Sequence, residues 1–188
     1  VVIWNDVFMQ YEKHSDGTYT ELPNKNVDTG MGVERTTAIL EGKLDNYESS
    51  IWTPVINLIE EISGLSYKGH EKEMRIIADH IRTATFIAAD PAGVKPSNTD
   101  RGYILRRLIR RAIRYAKKLN IDINSDFAER ISKLIIKKYN RYYPELNNID
   151  VIVDVLRGEQ KKFSRTLEKG LREFEKITSN IQGSMIDK

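Results

Sequence analysis

The chain has 188 residues and carries 30 Lys and Arg against 27 Asp and Glu, a formal net charge of +3 at pH 7. That length holds one core of ordinary size or two small ones, and the near balance of charge means that any polyanion-binding surface must be local. Without Cys there is no disulfide framework and no thiolate ligand or nucleophile, and the three His, at 14, 70 and 80, are too scattered to suggest a metal cluster. No apolar run reaches the roughly 18 residues that crossing a bilayer requires, and no signal peptide is recognisable. No membrane partner is therefore expected, and the chain reads as cytoplasmic, with an organelle as the open alternative. It starts Val-Val-Ile-Trp, inside a strand-like run and without Met, as expected of a piece of a longer polypeptide.

In chain order, Ile3 to Tyr11 is rich in β-branched and aromatic residues and predicts a strand; Ser15-Asp16-Gly17 is a turn, and Thr18 to Leu22 can pair back as a hairpin. Pro23 to Asn26 breaks that pattern, Val27 leads into Asp28-Thr29-Gly30-Met31-Gly32, and a helix is expected from about Val33 to Glu41. Beyond Gly42 the chain turns helical. Apolar residues at helical spacing mark Tyr47 to Ile62, with Pro54 in a first turn or at a boundary, then Glu73 to Ala89, Arg101 to Leu119, Phe127 to Tyr139, and Ile149 to Ile177. Pro91, Pro96 and Pro144 fall between helices, and Asn147-Asn148 caps the last one. The expected fold class is α+β: a short antiparallel β portion followed by a mainly α-helical domain.

Two segments carry chemistry. In Arg101 to Lys118, at about 100° per residue, Ile104, Leu105, Leu108, Ile109, Ala112, Ile113, Ala116 and Leu119 fill one half of the helix. Arg106, Arg107, Arg110, Arg111, Arg114, Lys117 and Lys118 fill the other, and no acid of the segment interrupts them. A solvated face usually mixes signs, because Glu to Lys pairs one turn apart each add a few tenths of a kcal/mol. An extended polyanion would restore what this face forgoes, and Arg suits bidentate phosphate contacts. The second segment is Val27 to Arg35, VDTGMGVER. Its glycines let main chain approach a flat ligand, Asp28 can hold an ammonium group, and Arg35 near a helix start can hold a phosphate. Trp4 and Asn5, on a strand that could lie beside it, would add an aromatic wall and an amide to one pocket.

These residues resemble the alanyl-tRNA synthetase family of class II aminoacyl-tRNA synthetases. Four blocks carry the resemblance: IWNDVFMQY from Ile3 to Tyr11, VDTGMGVER, ADHIRT from Ala78 to Thr83, and PSNTDRGYILRRLIRRA from Pro96 to Ala112; the weaker FSRTLEKG follows from Phe163 to Gly170. The resemblance implies the end of an aminoacylation domain over residues 1–44 and a helical domain for the tRNA acceptor stem over 45–188. It makes VDTGMGVER the third class II motif, with Arg35 as the catalytic residue on the ATP phosphates and Gly32 against the nucleotide. Ile3, Trp4 and Asn5 would line the ATP side, and Asn5, Val7, Asp28 and Gly30 would hold alanine. ATP would act with Mg2+, without a metal site in this chain; zinc would belong to an editing domain outside it.

In the helical part the resemblance gives Asn98 the inspection of a G·U pair in the acceptor stem of tRNA(Ala). Arg101, Arg106, Arg107, Arg110, Arg111 and Arg114 would grip the backbone around it. An amide suits an exposed base edge in the shallow groove of A-form RNA. The loop before Asn98 is somewhat longer than is usual in that family. The acidic partner of Asn98, the first two class II motifs and the editing domain are not in the sequence, so this piece alone is expected to be inactive. Asp79, His80 and Arg82 read as structural, bracing that loop. Two other readings stay open: a noncatalytic helical RNA-binding module with a β-hairpin cap, and a helical scaffold that docks a partner through its last helix.

Overall fold

Strand β1 (Trp4–Lys13) and strand β2 (Tyr19–Met31) form an antiparallel hairpin in the computed structural model, which describes residues 2–179. The turn is closed by Asp16, whose carboxylate accepts from the Thr18 amide and hydroxyl at 2.9 and 2.7 Å, and by Gly17 at φ 86°, a left-handed value that costs glycine nothing. The sequence places a break at Pro23 to Asn26; the structure runs β2 through it as one strand. The reason is a bulge. Met9 pairs with Asn26 and Tyr11 with Glu21, so residues 22–25 bow out opposite Gln10 alone. Pro23 sits where no ladder hydrogen bond is asked of it.

Helix α1 (Val33–Leu40) follows directly, with Gly32 at its N-cap. Expected helix over Tyr47 to Ile62 is shorter: one 3₁₀ turn spans Asn46–Glu48, with Asp45 accepting from the Tyr47 amide at 3.0 Å, and α2 runs Thr53–Ser63 with Pro54 in its first turn. The chain divides into two compact units between Pro54 and Val55.

The second unit is built around α3 (Glu71–Ala89), which packs on α4 (Asp100–Lys118), α5 (Phe127–Tyr139) and α6 (Ile149–Ser179). Met74, Ile77, Ala78, Ile81, Ala84, Thr85, Ala88 and Ala89 are its buried residues, spaced three and four apart. They meet Leu105, Ile109, Ala112, Ile113 and Ala116 of α4, where alanines on both sides admit a close approach. Phe127, Ile131 and Ile135 of α5 and Ile152 and Leu156 of α6 close the core. Each such side chain contributes about 1.5–3 kcal/mol by leaving water. The buried hydroxyl of Thr85 is satisfied on both sides: it donates to the Ile81 carbonyl at 2.7 Å and accepts from the Ser132 hydroxyl at 2.9 Å. Buried Gln160 and Ser164 of α6 donate to the Ile123 carbonyl, both at 2.9 Å, which pins the loop between α4 and α5.

Candidate functional site

The hairpin register brings the glycine segment beside the start of β1. Asn5 stands opposite Gly30 and Val7 opposite Asp28, so these four positions share one face of the ribbon. A Cβ on Gly30 would stand 3.0 Å from Asn5 Oδ1, so the Asn5 amide lies across this glycine and would have to shift for any larger residue. The Gly32 amide donates to the Ile3 carbonyl at 3.0 Å and hands the chain to α1, where Arg35 Nη1 donates to the Val2 carbonyl at 2.8 Å. Asp28 and Arg35 are both solvent-exposed. At Gly32 a Cβ would make only ordinary contacts, 3.5 Å and beyond, with the Arg35 side chain, so nothing within the chain requires glycine there.

Trp4 pairs with Met31, next to the Asn5–Gly30 pair, and therefore projects from the other face. The single pocket expected to hold both Trp4 and Asn5 is not what this register builds, because consecutive strand residues alternate. Trp4 is 60 % exposed.

Helix α4 carries its basic face as the periodicity requires, with Arg101, Arg107, Arg111, Arg114, Lys117 and Lys118 exposed. Tyr115 lies between Arg111 and Lys118, whose charged groups stand 5.9 and 5.1 Å from its ring centre. A polar cleft of about 430 Å³ opens along this face, lined by Arg107, Arg110, Arg111, Arg114 and Tyr115 of α4 and by Phe163 of α6. Ile104, assigned to the apolar half, is 48 % exposed, since it lies at the margin of the buried stripe.

The region preceding α4 is tied down. Gly102 is buried, its carbonyl accepts from the Ser97 amide at 3.1 Å, and Arg106 Nη1 donates to Asn98 Oδ1. Within α3, His80 Nδ1 lies 2.9 Å from Asp79 Oδ2; this hydrogen bond, helped by the charge of Arg82, holds the Asp79 carboxyl below its ordinary value. The pair is made between adjacent residues of α3. Among the described residues no group of three or more His, Asp or Glu converges as a metal site would, and no helix is long and apolar enough to cross a membrane.

Residues 1–188 match the family model of class II (A) tRNA synthetases. The chain belongs to that family. Curated relatives of the chain include the alanine–tRNA ligases of Treponema pallidum (strain Nichols), 46 % identical over 98 % of this chain and 31 % of the relative, and of Borreliella afzelii (strain PKo), 49 % identical over the same shares. The alanine–tRNA ligase of Listeria innocua serovar 6a is 46 % identical over 96 % of this chain and 20 % of its own length. The chain thus spans between a fifth and a third of the relatives it matches.

The basic face of α4 is less uniform in space than in sequence. Arg110 Nε donates to Glu159 Oε1 at 2.6 Å, and its guanidinium stands 5.1 Å from the centre of the Phe163 ring. Glu159 is only 5 % exposed. Both residues belong to α6; Phe163 stood out in the sequence only as the start of the FSRTLEKG block, and Glu159 went unremarked, although a signal was present. Glu159 falls in the buried phase of α6 with Leu156, Gln160 and Ser164, and a carboxylate among buried positions calls for a cation from a neighbouring helix. Of the six arginines assigned to the backbone of an acceptor stem, Arg106 and Arg110 are therefore engaged inside the chain.

Proposed function

We propose that this chain is the part of an alanine–tRNA ligase that supplies one wall of the ATP and alanine pocket together with the helices that grip the acceptor stem of tRNA(Ala). The observation that carries the first half is the register setting Asn5 against Gly30 and Val7 against Asp28, with Arg35 one helical turn beyond. An amide, a carboxylate and an exposed backbone strip thus share one face of the ribbon, and the chain continues from them into the helix that carries a guanidinium, groups suited to an amino acid and a triphosphate. Asp28 takes the alanine ammonium, Asn5 and Val7 bound the amino acid, and Gly30 and Gly32 give room at the main chain. Arg35 lies on the phosphates of ATP, which enters as its Mg2+ complex, with Ile3 on the nucleotide side; Trp4, on the other face of the ribbon, is left out of this pocket.

Alanine carboxylate attacks the α-phosphorus, releasing pyrophosphate and giving alanyl-adenylate; the terminal ribose hydroxyl of the tRNA then attacks its carbonyl carbon and takes the alanyl group as AMP leaves. Both steps rest on positioning and charge stabilisation and need no protein nucleophile, consistent with a chain without Cys. The exposed arginines of α4 hold phosphates without reading sequence, and Asn98 reads the base pair. A cytoplasmic location fits this role in translation.

Alanine-dependent ATP–pyrophosphate exchange in the intact ligase tests the pocket. Asp28→Asn should raise the KM for alanine and cut exchange by about two orders of magnitude, roughly 3 kcal/mol, while the KM for ATP moves little. Arg35→Ala should spare alanine and damage the ATP dependence. Normal alanine dependence in Asp28→Asn would remove the assignment.

A further inference from the structure

We propose that Gly102 and Arg106 are positioning residues that fix the reach and orientation of Asn98 toward the acceptor stem, an inference that rests on the role given to Asn98 above. A Cβ built on Gly102 would stand 2.3 Å from Ser97 Oγ, 2.9 Å from Ser97 Cβ and 2.4 Å from the Lys95 carbonyl oxygen. The hydroxyl could rotate away; the backbone carbonyl could not. The loop before α4 therefore lies directly on the helix backbone at residue 102, an approach open only to glycine. Ser97 fastens the contact: its amide donates to the Gly102 carbonyl at 3.1 Å, and its hydroxyl donates to the Thr99 carbonyl at 2.8 Å. Asp100, at φ 49°, takes the left-handed conformation that turns the chain into α4.

Asn98 is inside this closed loop, and its side chain is gripped from one turn further along. Residues 102 and 106 are four apart and share a helix face. Arg106 Nη1 donates to Asn98 Oδ1, while the Arg106 guanidinium stands 5.9 Å from the Tyr103 ring centre. Guanidinium has donors only, so the bond sets the amide with Oδ1 toward α4 and the Nδ2 donor pair away from it. Arg106 thereby decides which edge of Asn98 is offered to a base, and Gly102 decides how far that edge stands from α4. Base-edge hydrogen bonds work over a few tenths of an ångström, less than the displacement a methyl at 102 would demand.

The test is aminoacylation by the intact ligase with acceptor stems carrying G·U or G·C at the discriminating position, read as the ratio of their kcat/KM values. Asn98→Ala should lower that ratio. Gly102→Ala should lower it about tenfold with alanine-dependent pyrophosphate exchange unchanged, and Asn98→Ala with Gly102→Ala should lose no more than Asn98→Ala alone, as two changes acting through one contact must. Arg106→Lys keeps the charge and loses the fork, so it should lower the ratio without altering the salt dependence of tRNA binding, and it decides the matter if Gly102→Ala proves unstable. Should Asn98→Ala lower the ratio while Gly102→Ala and Arg106→Lys leave it intact, the positioning inference is overturned and the role of Asn98 stands. Should Asn98→Ala itself leave the ratio unchanged, that role falls, and this inference with it.

Discussion

Neighbouring arginines one peptide apart do different work. Arg111 is exposed beside Tyr115, whereas Arg110 is drawn to a carboxylate only 5 % exposed and over the face of Phe163. A charge already neutralised within the protein has no counterion to release from RNA, so the two residues should separate in a salt titration. Arg111→Gln should reduce the slope of log affinity against log salt by about one, while Arg110→Gln should change it little. Stability should show the reverse: Arg110→Gln leaves Glu159 buried without its cation and should cost about 1–3 kcal/mol in urea unfolding, against less than about 0.5 for Arg111→Gln. Equal slopes for the two variants would return Arg110 to the RNA-contacting set. The helical period showed which residues face outward from α4, but not that α6 would cover one of them, because that depends on how two helices separated by a whole element pack.

For the elements, periodicity was a good guide where packing obeys it and a poor one where pairing does. Helices α3 to α6 lie within two residues of their expected limits, since each must bury a stripe against α3. The run of β2 through Pro23 was not legible, because a bulge is decided by the partner strand's register rather than by the residues that bulge. In the site, the glycine spacing and the basic face could be read directly, yet the separation of Trp4 from Asn5 followed only from strand alternation once the pairing was fixed. Between α5 and α6 the tie is ionic. Glu129, whose side chain is 15 % exposed, accepts from Lys133 at 2.8 Å and from Arg157 of α6 at 2.6 Å. These two cations, Lys133 first, hold its carboxyl below the ordinary 4.5. A carboxyl depressed by folding stabilises above its unfolded value and loses that contribution as pH falls through its folded value. Glu129→Gln should therefore lower the urea midpoint near neutral pH, and the difference from wild type should shrink steadily below about pH 4.5. A difference constant across that range would mean that packing, not charge, holds the two helices.

At the scale of the whole molecule the two units are held by different physics. The helical unit has a continuous core of large side chains without exposed surface, among them Met74, Ile77, Ile81, Leu105, Ile109 and Phe127. The hairpin has no comparable core: Trp4, Val7, Phe8, Val27 and Met31 are all more than two-fifths exposed, and they stand on both faces of a ribbon of two strands. An isolated two-stranded hairpin is marginal in water, because its cross-strand pairs contribute only about 0.2–1 kcal/mol each against the entropy of ordering both strands. Native-state amide exchange of this chain should accordingly report two levels of protection. The amides of Ile77 and Ile81 in α3 should open only with global unfolding of the helical unit, several kcal/mol above the ground state, while those of Asn5 to Phe8 and Val27 to Gly30 should exchange through openings of about 1–2 kcal/mol. Adding urea should merge α3, α4 and α5 into one isotherm and leave the hairpin flat at its low value. Hairpin amides protected to the level of α3 would show that the register carrying Asn5, Asp28 and Gly30 is held as firmly as the core. Asn5, Asp28 and Gly30 would then be fixed in advance, whereas low protection means that they are ordered only when a ligand or further protein surface covers the ribbon.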